Sequence, residues 1–459
     1  MKYDIPLIER HTSIKKVIQK IERTPFNAAF VVNEQGMYLG GIFVADLQRL
    51  LISGVKDGDE IGAYPVKYTY RLSESDRKNK AGVATVLSDM RLHGVKYIPV
   101  VNVIGEVLDI VSADDLEETG HAAAHEGPGP DAAKKVLVVG GAGYLGSVLT
   151  RKLLEKGYSV RVLDSFIYGK RSLEGLTCEG RLEIVEGDLR NIHTCVTALE
   201  GVNAVVLLAA IVGDPASKVR PTETIETNLL ATQALASACK LQHINRFVYA
   251  STCSVYGVGA DVLDENAALN PVSLYARTKI ASEKIILGMG DEYFSPTILR
   301  MATLYGYSPR MRFDLVVNTM TMRSFTDRKI HVFGGKQWRP LLNVEDAAEV
   351  YVRCLEADIK DVANAVFNVG SNEQNYQIDE IAEIISTSLG GIPIHRDDSS
   401  LDVRDYRVSF VKAAELLGFK PKQTIQNASQ QIFAKLDDGT IKDPSQRIYY
   451  NHYFDSTEE

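Results

Sequence analysis

The 459-residue chain has few of the features that mark extracellular, metal-binding, membrane or nucleic-acid-binding proteins. Its five cysteines are scattered and show no Cys-x-x-Cys spacing, which argues against a zinc site or a disulfide framework. No apolar run approaches the roughly 20 residues of a membrane span, and the first residues lack the apolar core of a signal peptide. A net charge of -8 leaves no basic surplus for nucleic acid. We therefore expect a cytoplasmic protein without a metal, membrane or nucleic-acid partner.

What remains is an ordinary globular composition, 45% hydrophobic and 24% charged. The chain is too long for one core, because domains usually run about 50 to 250 residues. Residues 120–134 hold two prolines among glycines and alanines and no large apolar residue, which is typical of a spacer. The sequence therefore predicts one domain over residues 1–119, a linker over 120–134 and a second domain over 135–459.

The first domain contains a weak internal repeat, over residues 29–46 and 97–114. Each copy reads as strand, glycine turn, strand, and then an Asp before a Leu, the place of a helix N-cap. Residues 5–118 resemble a pair of CBS modules, an α+β fold. That resemblance implies an adenine nucleotide whose ribose is bound by Asp46 and Asp114. Helix capping alone, or a dimerisation plate without a ligand, is the alternative.

In the second domain, apolar runs alternate with helical stretches, a pattern typical of a doubly wound parallel sheet with helices on both faces. Strands are predicted at 136–140, 159–164, 182–186, 204–210, 246–251 and 297–300, and helices at 144–156 and 222–240. Beyond about residue 305 the pattern becomes irregular. We therefore predict a Rossmann-type α/β fold with a small C-terminal lobe over the carboxyl ends of the strands, where ligands bind.

A glycine-rich turn follows the first of these strands, with Gly140, Gly143 and Gly146 at GxxGxxG spacing. The first glycine allows the tight turn, the second lets backbone approach a pyrophosphate, and the third lets the helix pack on the strand. The helix N-terminus at Tyr144 and Leu145 presents free N–H groups to phosphate. This context predicts a dinucleotide site.

Asp164 ends the next strand, 24 residues after Gly140. Its carboxylate would accept hydrogen bonds from the ribose hydroxyls and repel a 2′-phosphate, which favours NAD over NADP. Lys170 and Arg171 follow closely and could instead hold a 2′-phosphate.

Tyr275 and Lys279 stand four residues apart in a predicted helix and so share a face. A tyrosine with a pKa near 10 is a weak base at neutral pH, and a neighbouring ammonium favours its phenolate form. A hydroxyl just after the preceding strand can hydrogen-bond the substrate oxygen whose proton Tyr275 removes. Thr252 is the first choice for this hydroxyl and Ser251 the second.

Together these segments resemble the extended short-chain dehydrogenase/reductase family, specifically the NAD-dependent sugar-nucleotide epimerases and dehydratases, over about residues 135–435. The resemblance implies Thr252, Tyr275 and Lys279 as the catalytic set and Asn228 as a residue that holds its helix and a water near Lys279. It also implies further cofactor-binding residues in the turns after the third and fourth strands. These are Asp188, Leu189, Ala209 and Ala210. A helix cap for Asp188 and core packing for the alanines are the alternatives.

The same resemblance points to arginines that bind the nucleotide diphosphate, since the guanidinium fork suits phosphate. Arg339 is expected there, and Arg404 and Arg407 compete for a second position. The basic cluster Arg310–Arg312 could also face a diphosphate, and Arg312 is assigned to the substrate. Surface salt bridges are the alternative for all of them.

One departure narrows the reaction. The 4,6-dehydratases of the family carry Asp-Glu directly after the catalytic Thr, whereas this chain has Cys253 and Ser254, neither of which is a good proton donor at neutral pH. The sequence thus favours a sugar-nucleotide 4-epimerase, with a 4-dehydrogenase or ketoreductase, or a 4,6-dehydratase, as alternatives. A regulatory NAD and adenine-nucleotide sensor is the alternative of another class. The resemblance also implies a homodimer or higher homo-oligomer. The aromatic tail 449–454 is expected to pack on the body.

Overall fold

The computed structural model of the chain describes residues 5–24, 26, 28–43, 47, 50, 55–56, 58–63, 71–73, 87, 90, 96–102, 104–112, 116, 135–176, 180–242, 244–291, 293–397 and 404–451. The chain divides into two compact units, residues 1–129 with 241–243 and residues 130–240 with 244–459. The predicted linker, Asp46 and Asp114 lie outside the described residues.

The first unit contains two three-stranded sheets of the same design. Their elements are β1 (Leu7–Glu9), α1 (Ile14–Glu22), β2 (Ala28–Val32), β3 (Tyr38–Phe43), β4 (Leu72–Ser73), β5 (Tyr97–Val101) and β6 (Val107–Ser112). The strand orders are β1-β2-β3 and β4-β5-β6. In each sheet the first pair is parallel and the second is antiparallel with one irregularity in register.

Strand pairing fixes the offset of this repeat at 69 residues, as Tyr97 is to Ala28 and Ser112 to Phe43. The turns match as well, since the side-chain oxygens of Asn33 and Asn102 each accept a bond from the backbone N–H four residues later. The same offset relates the buried Leu47 and Leu116. Counted along the chain at this offset, Asp115 corresponds to Asp46, and the predicted Asp114 stands one residue earlier.

The second unit is built on a seven-stranded sheet in which every pair is parallel. Its strands are β7 (Lys135–Val139), β8 (Ser159–Asp164), β9 (Leu182–Glu186), β10 (Ala204–Leu207), β11 (Arg246–Thr252), β13 (Ser295–Met301) and β17 (Ala365–Val369). The order is β17-β13-β11-β10-β7-β8-β9. The chain thus winds outward in one direction from β7 and returns to its other side with β10. The crevice between the ends of β7 and β10 is where such folds bind ligands.

Side chains alternate between two apolar layers along these strands. In β7, Val136 and Val138 belong to one core and Leu137 and Val139 to the other. The helices are α2 (Tyr144–Glu155), α3 (Ile192–Leu199), α4 (Asp214–Val219), α5 (Pro221–Ile225), α6 (Thr232–Leu241), α7 (Leu274–Gly288), α8 (Val316–Thr326), α9 (Val344–Glu356), α10 (Ile359–Val362), α11 (Ile378–Ser388), α12 (Val411–Leu416) and α13 (Ile425–Asp437). Helices α2 and α9 cover one face, and α3 and α6 the other. The expected Rossmann-like sheet is therefore confirmed.

A smaller lobe is formed mostly by the chain after β13. It has its own core, to which α8, α11 and α13 contribute. Its short strands are β12 (Val258–Leu263), β14 (Thr303–Tyr305), β15 (Ile330–Phe333), β16 (Trp338–Asn343), β18 (Asn375–Gln377), β19 (Ile394–Asp397) and β20 (Asp405–Val408). They form sheets in the orders β12-β20, β14-β16-β18 and β15-β19.

Most predicted strands agree with the structure to within one or two residues, and the larger differences are these. Strand β10 ends at Leu207 rather than at residue 210, the strand β17 was not predicted, and the helix expected over 222–240 is divided by a π-helical turn over Glu226–Ala231. No described helix is long and apolar enough to cross a membrane.

Candidate functional site

A cavity of about 690 Å³ lies in the second unit at the carboxyl ends of the parallel strands. The sheet contributes the turns after β7, β8, β9 and β10, and α7 contributes Tyr275 and Lys279. The smaller lobe contributes residues 302–304, 310 and 312–315. Of the predicted site residues, those on the cavity wall are Gly140, Gly143, Tyr144, Leu145, Gly146, Asp164, Asp188, Leu189, Ala209, Ala210, Thr252, Tyr275, Lys279, Arg312 and Arg404.

The glycine-rich turn has the geometry that its spacing predicts. Gly140 has φ +86, and a Cβ there would come within 2.7 Å of the backbone nitrogen of Ala209. At Gly146 a Cβ would overlap the carbonyl oxygen of Gly140. At Gly143, by contrast, the nearest atom to a Cβ is that same oxygen at 3.2 Å, and, chain neighbours apart, no other heavy atom of the described residues lies within 4 Å. The wall is therefore open beside Gly143, where backbone can approach a pyrophosphate.

Asp164 stands at the end of β8 and is fixed by backbone donors. The N–H groups of Ala142 and Phe166 each donate to one of its carboxylate oxygens, at 2.9 Å and 2.8 Å. Burial raises the pKa of this carboxyl group. Lys170, a possible 2′-phosphate ligand, forms an ion pair with Glu186 at 2.5 Å. These residues therefore fit the ribose of NAD: each oxygen retains a lone pair for a hydroxyl, and the lysine is engaged elsewhere.

Asp188 lies on the cavity wall but does not cap α3. That helix is capped by Asn191, whose side chain accepts from two backbone N–H groups. Asp188 instead forms a two-pronged ion pair with Arg190, with a closest approach of 2.6 Å. This pair holds the pKa of Asp188 below its usual range.

Tyr275 lies in the first turn of α7, which Ser273 caps by accepting a bond from the backbone N–H of Ala276 at 3.2 Å. Burial raises the pKa of Tyr275 to about 12, whereas the charge of Arg312 and a hydrogen bond with the Thr252 side chain lower it. The Thr252 hydroxyl thus lies beside the Tyr275 hydroxyl, as the sequence predicts. Arg312, rather than Lys279, is the chief positive charge that lowers the pKa of Tyr275.

Lys279 lies one turn further along the same helix, fully enclosed. Its Nζ donates to the carbonyl oxygen of Ala250 at 2.7 Å and stands 4.6 Å from the ring centre of Tyr249 and 5.9 Å from that of Tyr275. Burial lowers the pKa of Lys279 to about 7, and the charge of Glu283 opposes this shift. Such strongly shifted groups in a cleft are typical of catalytic sites.

The depressed pKa makes a prediction about stability. Because it lies below the usual 10.5, the unfolded state binds more protons than the folded state between pH 7 and 10.5, so the free energy of unfolding of the native protein rises with pH in that window. We expect the Tm of Lys279→Met, relative to the native protein, to be highest near pH 7 and to fall toward pH 10. Lys284→Met, at an exposed lysine of the same helix, serves as the control; equal pH dependence of the two variants would contradict the account.

Ser251, the second choice for the substrate hydroxyl, has another partner. It donates to the buried carboxylate of Glu283, which pairs with Arg300 at 2.8 Å. Arg300 also donates to the Tyr256 hydroxyl at 2.9 Å. Ser251 is thereby tied into a buried ion-pair network, which leaves Thr252 as the hydroxyl beside Tyr275.

Asn228 is fully buried and does not line the cavity. Its amide accepts from the backbone N–H of Ile211 at 2.8 Å and donates to the carbonyl of the same residue at 2.9 Å. The backbone carbonyl oxygen of Asn228 accepts from the hydroxyl of Ser282 of α7 at 2.7 Å. Asn228 therefore ties the loop after β10 to the π-helical turn and to α7, the helix that carries Lys279.

The predicted substrate arginines divide into two groups. Arg312 and Arg404 line the cavity, where Arg312 forms a two-pronged pair with Asp314 and Arg404 lies 3.7 Å from Asp214.

The other two, Arg339 and Arg407, are not on the cavity wall. Arg339 donates to the carbonyl oxygens of Trp338 and Arg404, and Arg407 stacks on the Trp338 ring at 5.2 Å. Backbone carbonyls engage Arg339 and the indole engages Arg407 in this structure, and their place at the substrate stays a prediction.

Several cavity residues were not assigned from the sequence. Asp214 and Tyr406 both raise the pKa of Tyr275, and Asp214 Oδ1 is buried without a hydrogen-bond partner among the described residues. Arg310 and Asn451 line the cavity from the smaller lobe and the C-terminal segment. Of these, only Arg310 had a signal in the sequence, the basic cluster that it forms with Arg312.

Cys253 is fully buried, and its thiol donates to the carbonyl of Arg300 at 3.2 Å. Burial raises its pKa well above the usual range. It is a packed residue rather than an acid or a nucleophile. No group of three His, Cys, Asp or Glu side chains in the described part of the chain could hold a metal ion.

Comparison with known proteins gives relatives that are named as nucleotide-sugar epimerases or dehydratases. The chain is 29% identical over 313 residues to an uncharacterized UDP-glucose epimerase of Bacillus subtilis, covering 66% of this chain and 98% of the relative. It is 29% identical over 255 residues to a dTDP-D-glucose 4,6-dehydratase of Bos taurus, covering 54% and 70%.

Among solved structures, the chain resembles the UDP-glucuronic acid 4-epimerase from Bacillus cereus in complex with UDP-glucuronic acid and NAD. The TM-score is 0.60 at 26% identity, over 66% of this chain and 99% of that one. Residues 136–370, more than half of the chain, match the NAD dependent epimerase/dehydratase family. The cavity described above holds a glycine-rich turn, an acidic strand end and a Thr, a Tyr and a Lys. The protein is an enzyme that belongs to the NAD-dependent epimerase/dehydratase family.

Proposed function

We propose that the second unit is a nucleotide-sugar 4-epimerase with Thr252, Tyr275 and Lys279 as its catalytic residues. The observation that carries the proposal is that Thr252, Tyr275 and Lys279 line the same cavity as the glycine-rich turn and Asp164. An acid–base hydroxyl beside a dinucleotide site is the arrangement that alcohol oxidation needs.

NAD, when bound, supplies the hydride acceptor and donor for C4 of the sugar. Tyr275 removes the proton of the C4 hydroxyl while the Thr252 hydroxyl holds that oxygen, and C4 becomes a ketone. Tyr275 would then return the proton to the C4 oxygen, once the turned sugar presents the opposite face of C4 to the cofactor. The net change is an inverted C4 centre, with no net oxidation. Lys279 and Arg312 supply the positive charge that favours the tyrosinate.

The site supports a 4,6-dehydratase less well, although one of the relatives carries that name. The residue after Thr252 is the enclosed Cys253, whose thiol is bonded to a carbonyl. Loss of water from the sugar needs an acid at the leaving hydroxyl, and this position offers none. A 4-dehydrogenase or ketoreductase remains the alternative, because it would use the same three side chains and differ only in release of the reduced cofactor.

The test is incubation of the protein and NAD with UDP-glucose, UDP-glucuronic acid and their N-acetylated counterparts, followed by proton NMR of the sugar and absorbance of NADH. We expect a C4 epimer without accumulation of NADH. A keto sugar accompanied by stoichiometric NADH would favour the dehydrogenase, and a 6-deoxy-4-keto sugar would favour the dehydratase.

We infer further that the first unit is a CBS-like pair that binds an adenine nucleotide and tunes the enzyme. Support comes from its two equivalent sheets, related by one constant offset, and from the acidic residues Asp46 and Asp115 at equivalent positions. Calorimetric titration with ATP and AMP tests this inference. Binding that Asp46→Ala abolishes is expected, whereas heats of dilution alone would leave the pair without a ligand.

A further inference from the structure

Arg310 is a buried cation on the wall of the cavity. Arg310 is only 5% exposed, and its guanidinium carbon lies 3.7 Å from the ring centre of Tyr168. Its Nη2 donates to Asn451 Oδ1 at 2.7 Å, and its Nε has no hydrogen-bond partner among the described residues. Among the described residues, Arg310 forms no ion pair. Arg312 differs in this respect, because Asp314 neutralises it.

A buried charge without a counter-ion is costly, so such groups are normally paired or bind an ion of opposite sign. Burial, with repulsion from Arg312, lowers the pKa of Arg310 to about 10. The guanidinium therefore remains charged at neutral pH. Asp314 and Asp164 lie near enough to act on this charge, but neither forms an ion pair with Arg310. Since the guanidinium borders an open cavity, a ligand can supply a paired anion.

The C-terminal segment over residues 447–451 holds this region together. The carbonyl oxygen of Tyr449 accepts from the backbone N–H of Phe313 at 2.9 Å, and the two rings pack edge to face at 5.5 Å. The backbone N–H of Asn451 donates to Asp314 at 3.4 Å. The side chain that meets Arg310 is an uncharged amide, which orients the guanidinium without neutralising it.

We propose that Arg310 binds the diphosphate of a ligand in this cavity and that Asn451 is the positioning residue that holds it there. The inference rests on the proposed function, because NAD and a nucleotide sugar both carry a diphosphate. The charge of Arg310 acts on Asp164 and on Tyr144 beside the glycine-rich turn, which favours the diphosphate of the cofactor. The arginine fork is suited to two phosphate oxygens at once.

The test is the Kd of NAD and, separately, of UDP, measured by calorimetry on the full chain. Because hydrogen bonds between charged groups are strong, Arg310→Met is expected to weaken one of the two ligands by about 10- to 100-fold. Loss confined to NAD assigns Arg310 to the cofactor, and loss confined to UDP assigns it to the substrate. Adenosine and uridine, which lack phosphate, should bind the variant and the native protein alike. A folded variant that binds NAD and UDP within about twofold of the native protein would overturn the proposal.

Asn451→Asp separates positioning from general support of the fold. The new carboxylate would neutralise Arg310, so the Tm is expected to stay or rise while the affinity for the diphosphate falls; a purely structural contact would move both in the same direction. Ser445→Ala is the control, because this exposed hydroxyl, two residues before that segment, donates to Asp443 and not to Arg310 or Asn451. Unchanged affinity in Asn451→Asp would overturn the positioning role even if Arg310→Met failed to fold. Weakened binding in a protein that turns over no nucleotide sugar would instead refute the proposed function and leave this inference standing.

Discussion

Tyr275→Phe is expected to lower kcat by about 10²- to 10⁴-fold, the usual contribution of a positioned acid–base group. The change removes one oxygen, the one that accepts and returns the proton of the C4 hydroxyl. The ring remains, and with it the packing of a residue only 7% exposed. The Kd of NAD should therefore change by less than about twofold, so the loss appears in turnover and not in cofactor binding.

Tyr256→Phe is the matched control for this experiment. Its hydroxyl donates to Asn368 at 2.7 Å and accepts from Arg300 at 2.9 Å, away from the cavity wall. Loss of these buried bonds should lower the Tm by several degrees, since each costs about 1 to 3 kcal/mol, with kcat little changed. Turnover that survives in Tyr275→Phe, or that falls equally in both variants, would remove Tyr275 from the catalytic set.

Gly146→Ala is expected to lose both stability and NAD binding, whereas Gly143→Ala is expected to lose NAD binding alone. A methyl group at Gly146 would overlap the carbonyl of Gly140, and the neighbour is backbone that cannot move aside. We expect a loss of stability of about 3 kcal/mol or more, at the upper end of overpacking, and no measurable NAD binding.

At Gly143 the backbone is extended, with φ -73, and a methyl group would meet only the carbonyl oxygen of Gly140, at 3.2 Å, which a small shift can relieve. The Tm should stay within a few degrees of the native value, while NAD binds at least about tenfold more weakly, because the methyl group occupies the space of the pyrophosphate. Thermal unfolding and calorimetry check both variants. Unimpaired NAD binding in Gly143→Ala would show that the cofactor does not lie against this turn.

The parts of the site that the sequence predicts are those in which neighbours along the chain determine the geometry. The glycine-rich turn needs only a strand before it and a helix after it. Tyr275 and Lys279 need only one helix. The alternation of apolar residues in β7 likewise suffices to predict a sheet covered on both faces.

The parts that were missed depend on approach between distant segments. Arg310 and Asn451 are 141 residues apart, and nothing local to either one indicates the contact. The role of Arg312 beside Tyr275, rather than only at the substrate, has the same origin. The carbonyl contacts of Arg339 were not predicted either, because a guanidinium that binds phosphate and one that binds backbone carbonyls are indistinguishable in a sequence.

The most direct test of the central claim is the fate of the hydrogen at C4. A UDP-sugar labelled with deuterium at C4 would be incubated with the protein and NAD in ordinary water, and substrate and product would be separated and analysed by mass spectrometry and NMR. If hydride leaves C4 and returns to it within one site, the epimer retains its deuterium at C4 and no deuterated NADH is released. Deuterium lost to water, or found in free NADH, would contradict a 4-epimerase.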